Sequence, residues 1–188
     1  MQRFREEIAK HIVPVVSALK EEQRKRIGVD SLHLYDNDII FKEGNVKPKG
    51  SAQDILDAGF EMYSKMNGET AEFIKFMYDN QLFDVLSREG KAPGGYCTEF
   101  ADFKAPFIFS NFNGTAGDVD VLTHEAGHAF AYYTAAKKGV ISAYTSPTIE
   151  ACEVHSMSME FLTSPYHHLF FGEDTPKYEY YHLADALN

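Results

Sequence analysis

The chain has 188 residues, of which 44% are hydrophobic and 24% charged, with 13 Gly and 7 Pro. This composition excludes collagen-like, low-complexity and disordered classes and predicts one globular domain of ordinary size. With 18 Lys and Arg against 28 Asp and Glu, the net charge is −10, so phosphate-rich partners would repel the chain, and we expect neither nucleic acid nor an anionic membrane as a partner.

No apolar run approaches the roughly 20 residues that span a bilayer, and the N-terminal residues lack the apolar core of a signal peptide. Two isolated cysteines, Cys97 and Cys152, are typical of a reducing compartment and indicate the cytoplasm.

The first half of the sequence predicts helices. Residues 4–26 carry apolar side chains at spacings of three and four and predict one long helix, which Pro14 should kink or deprive of a hydrogen bond. Residues 28–49 are punctuated by Gly, Asn, Asp and Pro and predict a loop. A second helix is predicted over 51–67, with its serine as N-cap and its Asn-Gly as stop, and a third over 69–81.

The second half opens with a short region of β-structure. Aromatic and β-branched residues after Tyr96 predict one or two strands, the clearer one over 107–112. Pro106 directs that strand to a sheet edge or to a strand start, because proline cannot donate to a ladder. The predicted fold class is therefore mainly α, with a small β-hairpin or short sheet before the next helix.

Two further helices follow. The first is predicted over 118–138, with Thr115 or Asp118 as its cap, and the second over 148–164. The tail offers no clean period, although a helix can begin at Lys177. No internal repeat is present.

The chemistry is carried by an H-E-x-x-H pattern within the first of these two helices. His124 and His128 are four residues apart, one turn along one face, so two imidazoles can reach one metal ion. Glu125 lies beside the pair, near enough to act on a water at the metal without being a ligand. The surrounding helix is apolar, where such a cluster is costly without a partner, and Gly127 indicates a close approach to the backbone.

A third ligand is expected downstream, because zinc hydrolases use three protein ligands. The next helix carries Glu150, Glu153 and Glu160, whose spacings of three and seven place them on approximately one face. The helix has no Lys or Arg to pair with them, as a solvated acidic stripe normally would. The pattern therefore indicates a metal site, with any of the three carboxylates as the third ligand.

HEAGH followed by EVHSMSME resembles the thimet oligopeptidase and oligoendopeptidase F family of zinc peptidases. In that family H-E-F/L-G-H precedes a helix of the form E-x-P-S-x-x-x-E, and the first Glu of that helix is the third zinc ligand. The matching residue here is Glu153, 25 residues after His128. The likeness extends over nearly the whole chain and is most specific over 94–162. His155 stands where the family often has Pro, and Met157 where the thimet branch often has Gln.

The resemblance implies a zinc endopeptidase of short peptides, with a zincin-like helical catalytic region. It makes His124, His128 and Glu153 the ligands of one Zn²⁺ ion, to which Co²⁺ and Mn²⁺ are chemical alternatives, and Glu125 the residue that takes the proton of the attacking water. His155 is not expected to be a ligand, since helix positions two apart do not face together.

Two groups of residues are expected around this centre. Strand 107–112 is expected to pair with extended peptide as an edge strand, which assigns substrate binding to its first three residues, Phe107, Ile108 and Phe109. One carboxylate is expected to orient a ligand imidazole, and the candidates are Asp120, Glu150 and Glu160.

The family's catalytic region continues beyond the segment that resembles this chain, and a helical region precedes it. The resemblance therefore makes residues 1–188 a partial catalytic domain, with the remaining segments of a longer enzyme as a partner. Two alternatives stay open: a zinc-binding chain with impaired catalysis, and a non-enzymatic helical interaction protein. With 15 Phe and 11 Tyr, a partial domain also predicts exposed aromatic patches, particularly over 166–181.

Overall fold

The structure is a computed structural model that describes residues 1–187, and it separates into two compact units. One unit comprises Met1–Val46 and the residues from Asp174 onward, and the other comprises Lys47–Glu173. The first holds α1 (Gln2–His11), α2 (Val13–Ile27) and α8 (Thr175–Ala186). The second holds α3 (Ala52–Met66), α4 (Gly68–Asp79), β1 (Phe83–Leu86), β2 (Tyr96–Phe100), β3 (Ala105–Phe112), α5 (Gly117–Lys137), α6 (Ile149–Leu162) and α7 (His168–Phe171). The predicted class, mainly α with a short sheet, is confirmed.

In the first unit, the helix expected over 4–26 is interrupted. α1 ends at His11 and α2 begins at Val13, with Pro14 in the first turn of α2. Proline has no N–H and its ring displaces the preceding turn, so a new helix can begin there but the old one cannot continue. Pro14 was expected to kink one helix or to deprive it of a hydrogen bond, and the structure instead has two helices that are separated by Ile12. α2 ends at Gly28, whose φ of 76° is the left-handed conformation that glycine adopts without strain.

In the second unit, α3 and α4 begin where their capping residues predict. The Ser51 hydroxyl accepts from the Asp54 N–H, and the Asp54 carboxylate accepts from the Ser51 N–H, a reciprocal capping box. Asn67 ends α3 and caps α4, because its side-chain oxygen accepts the N–H groups of Glu69 and Thr70 at 2.8 and 2.9 Å. The start and stop predicted for this pair of helices are confirmed.

The three strands of the second unit form one sheet of order β1-β3-β2. β3 is parallel to β1 and antiparallel to β2, so strand 107–112 lies in the centre and its predicted place at an edge is wrong. Pro106 is the second residue of β3, next to the strand start, which is the other place where proline is found in sheets. β1 was not expected, since four residues give too short a run to show a period.

α5 and α6 pack closely against each other, and α5 also packs on β3. A Cβ on Gly127 of α5 would lie 2.6 Å from the Ser156 Cα and 2.7 Å from the His155 carbonyl oxygen of α6. The close approach predicted at Gly127 is confirmed, and the element that approaches its backbone is α6. The cap expected at Thr115 or Asp118 is wrong: Ala116 is at the N-cap, and Asp118 instead accepts backbone N–H groups of the preceding loop.

The exposed aromatic residues lie outside the region that was expected to carry them. Phe170, Phe171 and Tyr178 are at most 1% exposed, so the prediction for 166–181 is wrong. Tyr144 and Phe103 are by contrast 77% and 80% exposed. None of the helices within residues 1–187 is both long enough and apolar enough to cross a bilayer.

Candidate metal centre

Three ligand atoms from two helices converge at the α5 and α6 seam. His124 and His128 of α5 and Glu153 of α6 each offer one atom, and these atoms all lie within 4.8 Å of one another. One carboxylate oxygen of Glu153, Oε2, is 3.2 Å from Nε2 of His124 and 3.7 Å from Nε2 of His128. The four-residue spacing places both imidazoles on one helix face, and the close seam brings the carboxylate to them.

Two hydrogen bonds orient these side chains. Nδ1 of His124 lies 2.6 Å from Oε1 of Glu160. In the neutral tautomer that donates from Nδ1 to this carboxylate, Nε2 is the nitrogen that can bind a metal. Ser156, buried in the seam, donates its hydroxyl to Oε2 of Glu153 at 2.7 Å. Of the three carboxylates expected to orient a ligand, the structure places Glu160 against the imidazole. Asp120 lies half-buried in the first turn of α5, and Glu150 lies exposed in the first turn of α6.

Glu125 is buried beside the three converging residues. Its side chain lies against β2, where the Cys97 backbone donates a hydrogen bond to its carboxylate. Burial raises the pKa of Glu125, and the negative charge of Glu153 adds to the rise. A buried carboxylate with a raised pKa is a better proton acceptor than one in water, which suits general-base chemistry.

The pKa values of the other three residues follow from their contacts. The hydrogen bond to Glu160 raises the pKa of His124, whereas burial and the neighbouring His124 lower the pKa of His128. The Ser156 hydroxyl lowers the pKa of Glu153, so this carboxylate stays ionised. The group thus combines a carboxylate held ionised with two imidazoles, one of which is oriented by Glu160, and this is the donor set that a divalent zinc-like ion takes.

Comparison with known proteins gives the chain its family. The model of peptidase family M3 matches residues 1–183. The chain belongs to peptidase family M3. Among curated proteins, this M3 chain is 28% identical over 129 residues to the chromosomal oligoendopeptidase F of Lactococcus lactis subsp. cremoris, covering 66% of this chain and 20% of that protein.

Solved structures resemble the M3 chain closely. A protein described as an oligoendopeptidase F from Bacillus anthracis str. Ames has 52% identity and a TM-score of 0.94, covering 99% of this chain and 34% of that one. PZ peptidase A, solved with an inhibitor, has 53% identity and a TM-score of 0.94, covering 99% of this chain and 33% of that one. The M3 chain therefore spans about a third of the structures and a fifth of the curated relative that it matches.

An open cleft of about 410 Å³ lies beside the centre of the M3 chain. Its walls come from β2, α5, the loop after α5 and the start of α6. They include Cys97, Thr98, Glu99, His128, Tyr132, Thr145, Cys152, Glu153 and His155.

Several cleft residues were not expected. Cys97, Glu99, Tyr132 and Thr145 carry no motif, although Tyr132 lies one turn after His128 and could have been found by extending the helix face. Residues 107–109 were expected to bind peptide because of a free strand edge, and this reason does not hold, since β3 is central. The strand that is both at an edge of the sheet and in the wall of the cleft is β2.

Proposed function

We propose that this chain is the metal-binding part of a zinc endopeptidase that hydrolyses internal bonds of short peptides. The observation that carries the proposal is the convergence of His124, His128 and Glu153 within 4.8 Å at the wall of an open cleft, with Glu125 buried beside them. Membership of peptidase family M3 supports the reaction class.

The donor set fits zinc in number, type and spacing. Tetrahedral sites with metal–ligand distances of about 2.0–2.1 Å place neighbouring ligand atoms about 3.3 Å apart, and Oε2 of Glu153 lies 3.2 and 3.7 Å from the two imidazole nitrogens. Three protein ligands leave a position for water or substrate, as catalytic sites require. When bound, zinc supplies Lewis-acid chemistry, which polarises a carbonyl oxygen and lowers the pKa of coordinated water towards about 7.

In this proposal Glu125 moves the proton. Its carboxylate takes a proton from the attacking water and passes it to the nitrogen of the leaving amine, so that one residue acts as base and then as acid. The raised pKa of Glu125, caused by burial, favours both halves of this transfer. Glu160 keeps His124 in the tautomer that offers Nε2 to the metal.

We propose that the substrate backbone pairs with β2 rather than with β3. β2 (Tyr96–Phe100) pairs with one neighbour, β3, and three of its residues line the cleft. An edge strand leaves alternate N–H and C=O groups free, and an extended peptide can use them without strong dependence on its sequence. Because the Cys97 backbone touches Glu125, a peptide on β2 would lie directly beside the proposed base.

A second candidate is a chain that binds zinc and hydrolyses peptides poorly on its own. It is favoured by the share of its relatives that the chain spans, about a third of the solved structures. Exposed apolar residues on α6, among them Val154 and Leu162, each 63% exposed, offer a surface that further segments of a longer enzyme would cover. We also propose a cytoplasmic location, because Cys97 and Cys152 are free thiols.

The test measures zinc content and peptide cleavage on the same protein. We expect one equivalent of zinc by elemental analysis, lost in the His128→Ala variant, and release of fluorescence from a quenched peptide that stops when a chelator is added. Glu125→Gln should retain zinc and lose at least about 100-fold in rate, the range for a general base. Glu89→Gln, an exposed glutamate outside the cleft, is the matched control and should change neither quantity.

The outcomes separate the candidates. Zinc binding without cleavage by the intact chain supports the second candidate. Cleavage that is equally fast in Glu125→Gln contradicts the proton-transfer role. A chain without zinc, whose stability a chelator leaves unchanged, would be a helical interaction protein.

A further inference from the structure

We propose that Glu99 determines specificity: its carboxylate receives a cationic group of the peptide, either a Lys or Arg side chain or the N-terminal ammonium group. The inference rests on the proposed function, since it names a substrate class for the same cleft. It starts from the position of Glu99 on β2 and from the partners that its carboxylate has.

Glu99 lies two residues along β2 from Cys97, the residue whose backbone touches Glu125. Residues two apart on a strand face the same side, about 6.6–6.8 Å apart, and Cys97 and Glu99 are the two half-buried members of an otherwise exposed strand. Across the cleft, the charge of Glu99 acts on Tyr132, which lies one turn after His128 on α5. Glu99 therefore lies two strand residues from Cys97, which is beside Glu125, and faces Tyr132, one helical turn after His128.

A peptide paired with β2 would repeat this spacing. Its side chains alternate, so every second one points to the cleft at the same interval of about 6.6–6.8 Å. If the scissile bond lies beside Cys97 and Glu125, the peptide side chain two residues further along lies opposite Glu99. The cleft is open and about 410 Å³ in volume, enough room for a long side chain.

The carboxylate of Glu99 retains most of its capacity to accept hydrogen bonds. Within residues 1–187, its side-chain partner is the Thr145 hydroxyl, at 3.1 and 3.0 Å from the two oxygens, and no Lys or Arg pairs with it. That hydroxyl has one proton and also lies 2.8 Å from the Ser142 carbonyl oxygen. An ionised carboxylate offers about four acceptor positions, so at least three remain for a ligand.

The remaining charges of the cleft favour a cation at this place. The lining carries two carboxylates, Glu99 and Glu153, and two imidazoles, His128 and His155. The proposed function assigns Glu153 and His128 to the metal, which leaves Glu99 as the carboxylate available to substrate. The chain as a whole has a net charge of −10, which raises the concentration of cations near its surface.

The experiment compares matched peptides in equilibrium binding to the intact chain. The probes are blocked alanine-rich hexapeptides that carry one Lys at each position in turn, and the same set with norleucine, measured by competition against a fluorescein-labelled peptide. Glu99→Gln keeps an oxygen for the Thr145 hydroxyl but removes the charge, whereas Thr145→Val keeps the charge and removes the hydroxyl. A third set with a free N-terminus distinguishes the ammonium group from a side chain.

At one position we expect Lys to bind about fivefold to tenfold more tightly than norleucine, the range for a partly exposed charge-assisted pair. The preference for Lys over norleucine should disappear in Glu99→Gln and persist in Thr145→Val. In the wild type it should weaken as the salt concentration is raised. An unchanged preference in Glu99→Gln overturns the inference while peptide binding, and with it the proposed function, stands. Failure of every peptide to bind overturns both. Circular dichroism melts confirm that each variant is folded.

Discussion

Substituting Gly127 by Ala tests whether the seam between α5 and α6 sets the geometry of the metal centre. A Cβ at this position would lie 2.6 Å from the Ser156 Cα, 2.7 Å from the His155 carbonyl oxygen and 3.0 Å from the Met159 Cβ. Ordinary carbon contacts are about 3.5–4.0 Å. Two of the three neighbours are backbone atoms, so α6 would have to move by about 1 Å, since rotating a side chain cannot relieve the contact.

The energetic cost combines two opposed effects. Overpacking typically costs about 1–3 kcal/mol, while replacing a mid-helix glycine with alanine gains about 1 kcal/mol. Because backbone atoms meet the new methyl group, the upper part of the overpacking range applies, and we expect a net loss of about 1–2 kcal/mol in the free energy of unfolding. The same shift carries Glu153 away from His124 and His128, and about 1 Å is enough to spoil a ligand constellation. We expect zinc affinity to fall at least tenfold.

The assay measures unfolding by urea for the chelated and the zinc-saturated protein, and zinc affinity by competition with a chromophoric chelator. Gly68→Ala is the matched control, because a Cβ there meets nothing within 4 Å, and it should leave zinc affinity unchanged. If Gly127→Ala unfolds at the same urea concentration as the wild type and binds zinc equally well, α6 is not held at its observed distance by this contact, and the reasoning fails.

Three further variants test single contacts. Glu160→Gln removes the charge beside Nδ1 of His124 and should weaken zinc binding about 10–100-fold in a chelator competition. Asp118→Asn leaves the backbone N–H groups of Asn113 and Gly114 with a weaker acceptor and should lower the free energy of unfolding by about 1–3 kcal/mol in urea; an unchanged value would show that these loop hydrogen bonds do not stabilise the fold. Asp84 pairs with Arg88 and with Lys91, whose side chain is 1% exposed, and these partners hold its pKa well below its usual range. The stabilisation that these ion pairs give is therefore complete above the unfolded-state pKa of about 4 and is lost as the pH falls below it. The difference in unfolding free energy between wild type and Asp84→Asn should narrow from pH 6 to pH 2. A constant difference would show that these ion pairs do not stabilise the fold.

Features that depend on neighbouring residues in the chain could be predicted from the sequence. The Ser51 cap, the stop at Asn67 and the disturbance of the first helix near Pro14 each rest on contacts within one helical turn. The spacing of His124 and His128 is local in the same sense, because one helix holds both. Capping and proline effects act within one helical turn and therefore do not depend on how distant segments pack.

The order of the strands could not be predicted in this way. Pro106 is compatible with an edge or with a strand start, and the choice depends on β1, which is four residues long and pairs with β3 from more than 20 residues away. Glu99 was missed for a similar reason. The cleft wall in which it lies is completed by the loop that carries Thr145, which is 46 residues distant along the chain. Pairings of this range are decided by the packing of the whole unit rather than by local propensity.

The candidate metal centre depends on both local and long-range contacts, and α6 shows how they combine. Glu153 and Glu160 are seven residues apart, two helical turns, and they contact opposite nitrogens of one imidazole: Oε2 of Glu153 lies 3.2 Å from Nε2 of His124, and Oε1 of Glu160 lies 2.6 Å from Nδ1. The spacing of these acids is local and visible in the sequence. That they face His124 depends on Gly127 and Ser156, small residues that meet in the seam between the two helices. Turning α6 by one residue, about 100°, would remove both carboxylates from the imidazole at once. The seam therefore selects a single rotation of α6, and the ligand geometry follows from that rotation.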